Sequence, residues 1–295
     1  MIETKNYIPA RRVGFVPGPH FHLIKTFLGS REFCTLYLSG PSGTGKTETV
    51  LQICAEHSTP LFRVNLTAET TERDLIGGWV LENGATVWKD SLVIEAMKAG
   101  GVLLLDEIDL ASSKILALQS ILEGSPYINK QTQEVVVPAL GFKIVATANT
   151  KGSISSRSSA VKFVGAQTQN EAMLDRFDAW FDFKYPSEAD QFEILCAFGM
   201  NQLRRNSPFE AAMEQFARKL AAWGARIQKA EASGQISETV SLRRLKSCMK
   251  TFLLISEVYD KETEEGEYER VAVDLAITRF PESIQTAFRE FWKML

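Results

Sequence analysis

The run Gly40-Pro41-Ser42-Gly43-Thr44-Gly45-Lys46-Thr47 is the stretch whose residue types and spacing point most directly to chemistry. Its glycines let the backbone curl so that N–H groups converge on phosphate oxygens, helped by the N-terminus of the helix that follows. Lys46 is spaced to reach β- and γ-phosphates as a point charge, and the Thr47 hydroxyl to hold Mg²⁺. An apolar run from Phe33 to Leu38 predicts a strand before the loop, and the segment from Glu48 to Cys54 predicts a helix after it. That strand–loop–helix setting is what gives such a loop its meaning. The residues imply binding of a nucleoside triphosphate.

A second pair of reactive groups lies further on. Val102-Leu103-Leu104-Leu105 is a continuous apolar run, as expected of a strand buried on both faces of a parallel sheet. It delivers Asp106-Glu107 to a strand's carboxyl end, where open α/β sheets place their chemistry. Asp106 is expected to coordinate Mg²⁺ through water, and Glu107 to polarise the attacking water as general base. The next apolar run, Phe142 to Ala146, leads to Thr147-Ala148-Asn149. An amide at that strand end could orient the water, although Asn is also an ordinary turn former.

The elements that must position these groups read as alternating strands and helices. A short helix is expected from Phe21 to Leu28, after the irregular lead-in around Tyr7-Ile8-Pro9 and Phe15 to Pro19. The lead-in either packs against a nucleotide base or covers the sheet. Leu61 to Asn65 reads as the second strand, Thr67 to Leu75 as polar and turn-like, Ser91 to Ala99 as a helix, and Ala179 to Phe183 as the fifth strand. Asn83-Gly84 between β-formers predicts a hairpin pairing Trp79 with Trp88. The indole pair either holds a projecting hairpin together or anchors its base in the domain. Ser112 to Glu123 reads as a helix with Ile115, Leu116, Leu118, Gln119 and Leu122 on one face. Tyr127-Ile128 and Val135-Val136-Val137 bracket a polar tip at Lys130 to Gln133, a second hairpin.

Pro186-Ser187 marks a boundary, with Ser187 and Asp190 spaced as a capping box. Beyond it the periodicity is helical. Met213, Phe216, Leu220, Trp223 and Ile227 form one apolar stripe, and Ile284, Phe288, Phe291, Trp292 and Leu295 another. Ser241 reads as an N-cap, and the first turn after it carries Arg243 and Arg244, where the helix dipole disfavours cations. Charge in that position suggests a nearby anion; two solvated arginines are the alternative. Asp260 to Glu269 reads as an acidic, solvated loop. The organisation expected is a nucleotide-binding α/β domain over 1–186, with hairpins near 79–88 and 127–137, and a helical domain over 187–295.

Composition narrows the class. The 295 residues hold 33 Lys and Arg against 36 Asp and Glu, so no basic excess advertises nucleic acid. Cys34, Cys54, Cys196 and Cys248 are scattered in apolar stretches, which reads as buried thiols in a reducing compartment. No apolar run is long enough for a membrane span, and the polar start from Met1 to Asn6 does not read as a signal peptide. A cytoplasmic location is the expectation, without a membrane partner. His20 and His22 lack a third ligand close by, which argues against a metal site there.

Taken together these motifs resemble the AAA+ ATPases, within them the helix-2-insert group of MoxR-like, dynein-related and cobaltochelatase small-subunit (CobS-like) proteins, including virus-encoded ones. The likeness runs from about Tyr7 to Leu245. The phosphate loop and Asp106-Glu107 match the two Walker motifs, Asn149 matches sensor 1, and Asp74 to Gly78 with the Trp hairpin matches the helix-2 insert. The hairpin near Tyr127 to Val137 matches the insert before sensor 1. Leu174-Asp175-Arg176-Phe177 is similar to the arginine-finger segment, and Ser241-Leu242-Arg243 to sensor 2, although the adjacent Arg244 leaves open which arginine reads phosphate.

The resemblance implies a three-layer α/β/α core on a five-stranded parallel sheet, two inserted β-hairpins and a C-terminal α-helical lid. It implies ATP and Mg²⁺ as ligands, with Gly40 to Glu48, Asp106 and Arg243 around the nucleotide. It also implies a homo-oligomeric ring, typically a hexamer, in which Arg176 reaches the neighbour's γ-phosphate and the hairpins face a pore or a protein client. A large partner subunit of chelatase type would fit that picture. The alternative is a nucleic-acid motor or loader, for which Lys130, Lys151, Arg157 and Lys162 supply local charge without the aromatic interleaving of a stacking platform. A scaffold that binds nucleotide without turnover is the third reading.

Overall fold

In the computed structural model, which describes residues 4–150, 171–203, 209–258 and 267–295, the chain divides into two compact units. The first holds residues 1–11, 17–41 and 45–184. The second holds 12–16, 185–295 and Ser42–Thr44, the tip of the phosphate loop.

The first unit is built on a five-stranded parallel sheet. Helix α1, Phe21–Gly29, precedes strand β1, Thr35–Ser39. Helix α2, Lys46–His57, leads to β2, Leu61–Asn65, and helix α3, Glu72–Ile76, to the hairpin of β3, Gly77–Glu82, and β4, Ala85–Asp90. Helix α4, Leu92–Ala99, precedes β5, Val102–Asp106; helix α5, Gln119–Leu122, precedes the short pair β6, Tyr127–Ile128, and β7, Val135–Val136. Strand β8, Lys143–Ala148, helix α6, Glu171–Leu174, and β9, Ala179–Asp182, complete the unit.

The strand order is β2-β5-β8-β1-β9. Every residue of β1, β5 and β8 is buried, whereas β2 and β9 at the edges alternate in part with solvent. Buried apolar strands of this kind need cover on both faces, which is why their sequences read as unbroken apolar runs. From β1 the chain crosses toward β2, while β9 lies on the other side of β1 from β8. The neighbours β1 and β8 therefore flank the switch point at which such sheets bind ligands beyond their carboxyl ends.

The hairpin register is as expected: Trp79 faces Trp88 and Glu82 faces Ala85, with Asn83 and Gly84 both at positive φ. The two indoles meet edge to face at 5.5 Å, and they divide the two roles open to them. Trp88 packs on the core of the unit and donates from Nε1 to Asp90, while Trp79 stays 47% exposed. Gly77 sits at φ 122°, and a Cβ there would strike the carbonyl of Lys89, so the chain enters this hairpin only through glycine. In the lead-in, Tyr7 stacks on Phe62 at 4.3 Å and donates to Glu95, so this residue covers the sheet.

Two local expectations are corrected. The polar segment expected as a turn from Thr67 to Leu75 contains α3, because Thr71 and Asp74 close a reciprocal capping box at its start. The helix expected from Ser112 to Glu123 is a 3₁₀ stretch, Ser113–Leu118, followed by the single turn of α5. A 3₁₀ helix repeats every third residue, so Ile115, Leu118 and Ile121 turn inward while Leu116 and Gln119 are exposed.

The second unit is helical: α7, Glu188–Gln202; α8, Glu210–Ala232; α9, Leu242–Val258; α10, Glu267–Ile277; and α11, Glu282–Lys293. Ser187 and Asp190 form the capping box of α7. The stripe from Met213 to Ile227 is buried, and Trp223 donates from Nε1 to the Phe288 carbonyl at 2.9 Å, which docks α11 on α8. The acidic run ends in α10, which takes up residues 267–269; its earlier part lies outside the described residues.

Candidate active site

The carboxyl ends of β1, β5 and β8 bring the sequence's reactive residues together. The loop after β1 begins at Gly40, with φ 142°, where a Cβ would strike the carbonyl oxygen of Phe183 beyond β9. Gly43 and Gly45 also hold positive φ, which lets the loop turn back on itself before α2. Lys46, buried at 8% exposure, folds back into this loop: its Nζ donates to the carbonyls of Gly40 at 2.6 Å and Pro41 at 3.0 Å. The same ammonium lies 3.3 Å from Oδ1 of Asn149 at the end of β8.

Next to it, the Thr47 hydroxyl donates to Asp106 Oδ1 at 3.1 Å. A hydroxyl and a single carboxylate are hard oxygen donors of the kind Mg²⁺ takes alongside substrate phosphates. Among the described residues there is no cluster of three or more acidic, His or Cys side chains that could cage a metal. The donor set therefore fits an ion that arrives with its nucleotide.

Glu107 follows Asp106 at φ 60° and ψ 45°, the left-handed region that costs a non-glycine residue about 1 kcal/mol. The turn holds because the Glu107 backbone N–H donates to Thr147 Oγ1 at 3.1 Å. It directs the exposed Glu107 away from the strand, while Asp106 stays buried. Non-glycine residues in such sparse conformations gather at functional sites.

Three further residues belong to this constellation and were not singled out by sequence. Thr147 donates to Asp106 while accepting from Glu107, so one hydroxyl ties the paired acids to β8. Arg63 of β2 donates to Asp106 from Nε at 2.9 Å and from Nη2. Asp109, 1% exposed, accepts the backbone N–H groups of Asn149 and Thr150. Alternation in β2 puts Arg63 on the face of Asp106, which is the signal that could have found it. Asp109 falls three residues after Asp106 with no local pattern to separate it from a solvated turn.

Arg176 lies apart from this group. It pairs with Glu123 at 2.8 Å and donates to the carbonyl of Ala172 within its own chain. Arg243 is exposed in the first turn of α9, where Ser241 caps by accepting from Arg244 N–H at 3.4 Å. It belongs to the unit that also takes in Ser42, Gly43 and Thr44. Glu48 stands in the first turn of α2. Lys151, Arg157 and Lys162 lie outside the described residues.

Comparison with known proteins agrees with this geometry. Residues 35–163 match the family model of the AAA domain (dynein-related subfamily). The matched stretch takes in the phosphate loop, Asp106, Glu107 and Asn149. Midasin of Giardia intestinalis is 32% identical over 146 residues, which are 48% of this chain and 3% of midasin. An uncharacterized protein of Staphylococcus aureus strain USA300 is 31% identical over 149 residues, 48% of this chain and 52% of that protein. The chain thus spans about half, or far less, of the length of these curated relatives. A crystal structure of a protein from Cytophaga hutchinsonii aligns over 98% of this chain and 92% of its own, with 14% identity and a TM-score of 0.47. No helix among the described residues is long and apolar enough to cross a membrane.

Proposed function

We propose that the chain is a Mg²⁺-dependent ATP-hydrolysing subunit of an AAA+ ring, typically hexameric, that remodels or activates a protein partner. The observation that carries this reading is the convergence of Lys46, Thr47, Asp106 and Asn149 at neighbouring strand ends. In it, Gly40 to Glu48 wrap the phosphates and Lys46 leaves its loop carbonyls for the β- and γ-oxygens. Thr47 and Asp106 are the residues that would hold Mg²⁺, which when bound offsets charge on the phosphates. Glu107 takes a proton from the attacking water, and Asn149 fixes the position of that water.

Completion of the site comes from outside the chain's own sheet. Arg176 exchanges Glu123 for the γ-phosphate of a neighbouring subunit, a contribution worth about 10³ to 10⁵ in rate for related hydrolases. Arg243 reads the same nucleotide from the helical domain, taken as 187–295 against a nucleotide-binding domain of 1–186. The hairpins present Trp79 and Leu81, and Ile128 and Val135, as exposed apolar side chains toward a protein client. Within AAA+ proteins the sequence motifs favour the CobS-like and MoxR-like branches, which leaves a large chelatase-type partner subunit as one client. Cytoplasmic residence accords with the scattered free thiols.

The test is ATPase activity as a function of protein concentration. The specific rate rises as rings form, and Arg176→Ala abolishes turnover while nucleotide still binds. An Arg176→Ala protein that stays monomeric and hydrolyses ATP like the parent rules out the shared site.

A further inference from the structure

Among the described residues Asp106 has three side-chain hydrogen-bond partners, and they are not equivalent. Thr47 and Thr147 are neutral hydroxyls on buried or half-buried backbone. Arg63 is a full positive charge, with Nε 2.9 Å from Oδ2 and Nη2 donating to the same oxygen. Register explains how it gets there. Arg63 of β2 lies beside Leu104 of β5, two residues before Asp106, so Arg63 and Asp106 share one face of the sheet. The long side chain then runs up that face to the carboxylate. Its guanidinium is tethered but not locked in, because 46% of the side chain is open to solvent, against 7% for Asp106.

A buried carboxylate with no counter-ion is costly, and more so where phosphates arrive beside it. Arg63 removes that cost, but it does so at Oδ2 of the same carboxylate that a divalent cation also requires. We infer that Arg63 is the tethered counter-ion of the metal position: it neutralises Asp106 when no divalent cation is bound and yields the carboxylate when Mg²⁺ enters with the nucleotide. The inference rests on the reading of Thr47 and Asp106 as the Mg²⁺ side of the nucleotide site. It makes Arg63 a positioning residue that sets how much Mg²⁺ the site needs.

Two consequences of opposite sign follow. Without the guanidinium, Mg²⁺ meets no competitor, so less of it is needed. Without the guanidinium, metal-free nucleotide meets a bare carboxylate, so it binds more weakly. An arginine that only braced the edge of the sheet would not split the two effects in this way.

The experiment measures binding of a fluorescent ATP analogue to the full chain in EDTA and across a Mg²⁺ titration, for the parent, Arg63→Gln and Arg63→Lys. For Arg63→Gln the half-saturating Mg²⁺ concentration falls roughly three- to tenfold, a range set by a charge-assisted pair discounted for its exposure. Affinity in EDTA falls by a similar factor. Arg63→Lys keeps the charge without the fork and lies between the two, which keeps the test decisive if Arg63→Gln folds poorly. Half-saturating Mg²⁺ at or above the parental value in both variants overturns the inference while leaving the nucleotide site intact. A parent that binds no nucleotide at any Mg²⁺ concentration overturns the site reading and this inference with it.

Discussion

Asp109 holds Asn149 by its backbone: Oδ2 accepts the Asn149 N–H at 2.9 Å and the Thr150 N–H at 3.1 Å. The other oxygen, Oδ1, is buried and has no partner among the described residues, as is true of the Tyr37 hydroxyl, whose pKa is pushed up by burial and further by the charge of Asp109. A carboxylate kept in such a place is there for the strand end it secures. Its loss would free the amide that sits opposite Lys46.

Asp109→Ala leaves two backbone donors without an acceptor, a penalty of about 2 kcal/mol or more. The urea midpoint falls accordingly, and kcat falls further than KM for ATP rises, because phosphate binding through Lys46 survives better than water orientation. Asp109→Asn keeps an acceptor oxygen and lies closer to the parent in both measurements. Steady-state kinetics beside urea denaturation checks both points. A variant with parental kcat shows that Asn149 does not depend on this anchor.

What the sequence made legible follows from how local each signal is. The buried strands β1, β5 and β8, the loop from Gly40 to Thr47 and the Trp79–Trp88 register could be read because each is specified within a few residues. With Leu61 to Asn65 and Ala179 to Phe183 these runs make five strands, and their joining in one parallel sheet is what the family resemblance implied. Arg63, Thr147 and Asp109 could not be read in the same way: each acts through a partner roughly 40 residues distant, a relation that periodicity does not carry. The segment from Ser112 was misread because apolar spacing of three and four suits an α-helix as well as a 3₁₀ turn.

Glu107→Gln tests the division of labour between the paired acids. The substitution keeps the shape of the side chain and removes its basicity, and it leaves Asp106 with its hydroxyl and guanidinium partners. Hydrolysis slows by about 10²- to 10⁴-fold, the usual contribution of a general base. Mg²⁺–ATP affinity changes little, so ATP remains on the purified protein where ADP is recovered from the parent. Chromatography of the released nucleotide makes the comparison. Parental turnover in this variant assigns the base elsewhere.

The two indoles of the first hairpin differ in what they hold. Trp88 is packed on the core and bonded to Asp90, while Trp79 contributes its edge-to-face contact from the solvent side. Trp79→Ala costs about 1 kcal/mol, the worth of an aromatic pair. Trp88→Ala removes that pair and its packing together, for about 3 kcal/mol. Thermal unfolding of both single variants and the double variant measures the shared part; equal losses from the two singles contradict the asymmetry.

Burial also orders the reactivity of the thiols. Cys34 is pushed up to about 11 and Cys54 to about 12 by desolvation, and burial raises Cys248 as well. A raised thiol pKa keeps the protonated, unreactive form well above neutral pH, so thiolate is scarce at all three sites at pH 8. Cys196 is the half-buried member of the four and is raised by a shallower burial. Titration of the native protein with a disulfide reagent at pH 8 labels Cys196 first, and the other three react only as the fold opens. Guanidinium chloride exposes all four at once, and mass mapping identifies the order. Fast native labelling of Cys54 or Cys248 shows that the helices carrying them open far more readily than their packing implies.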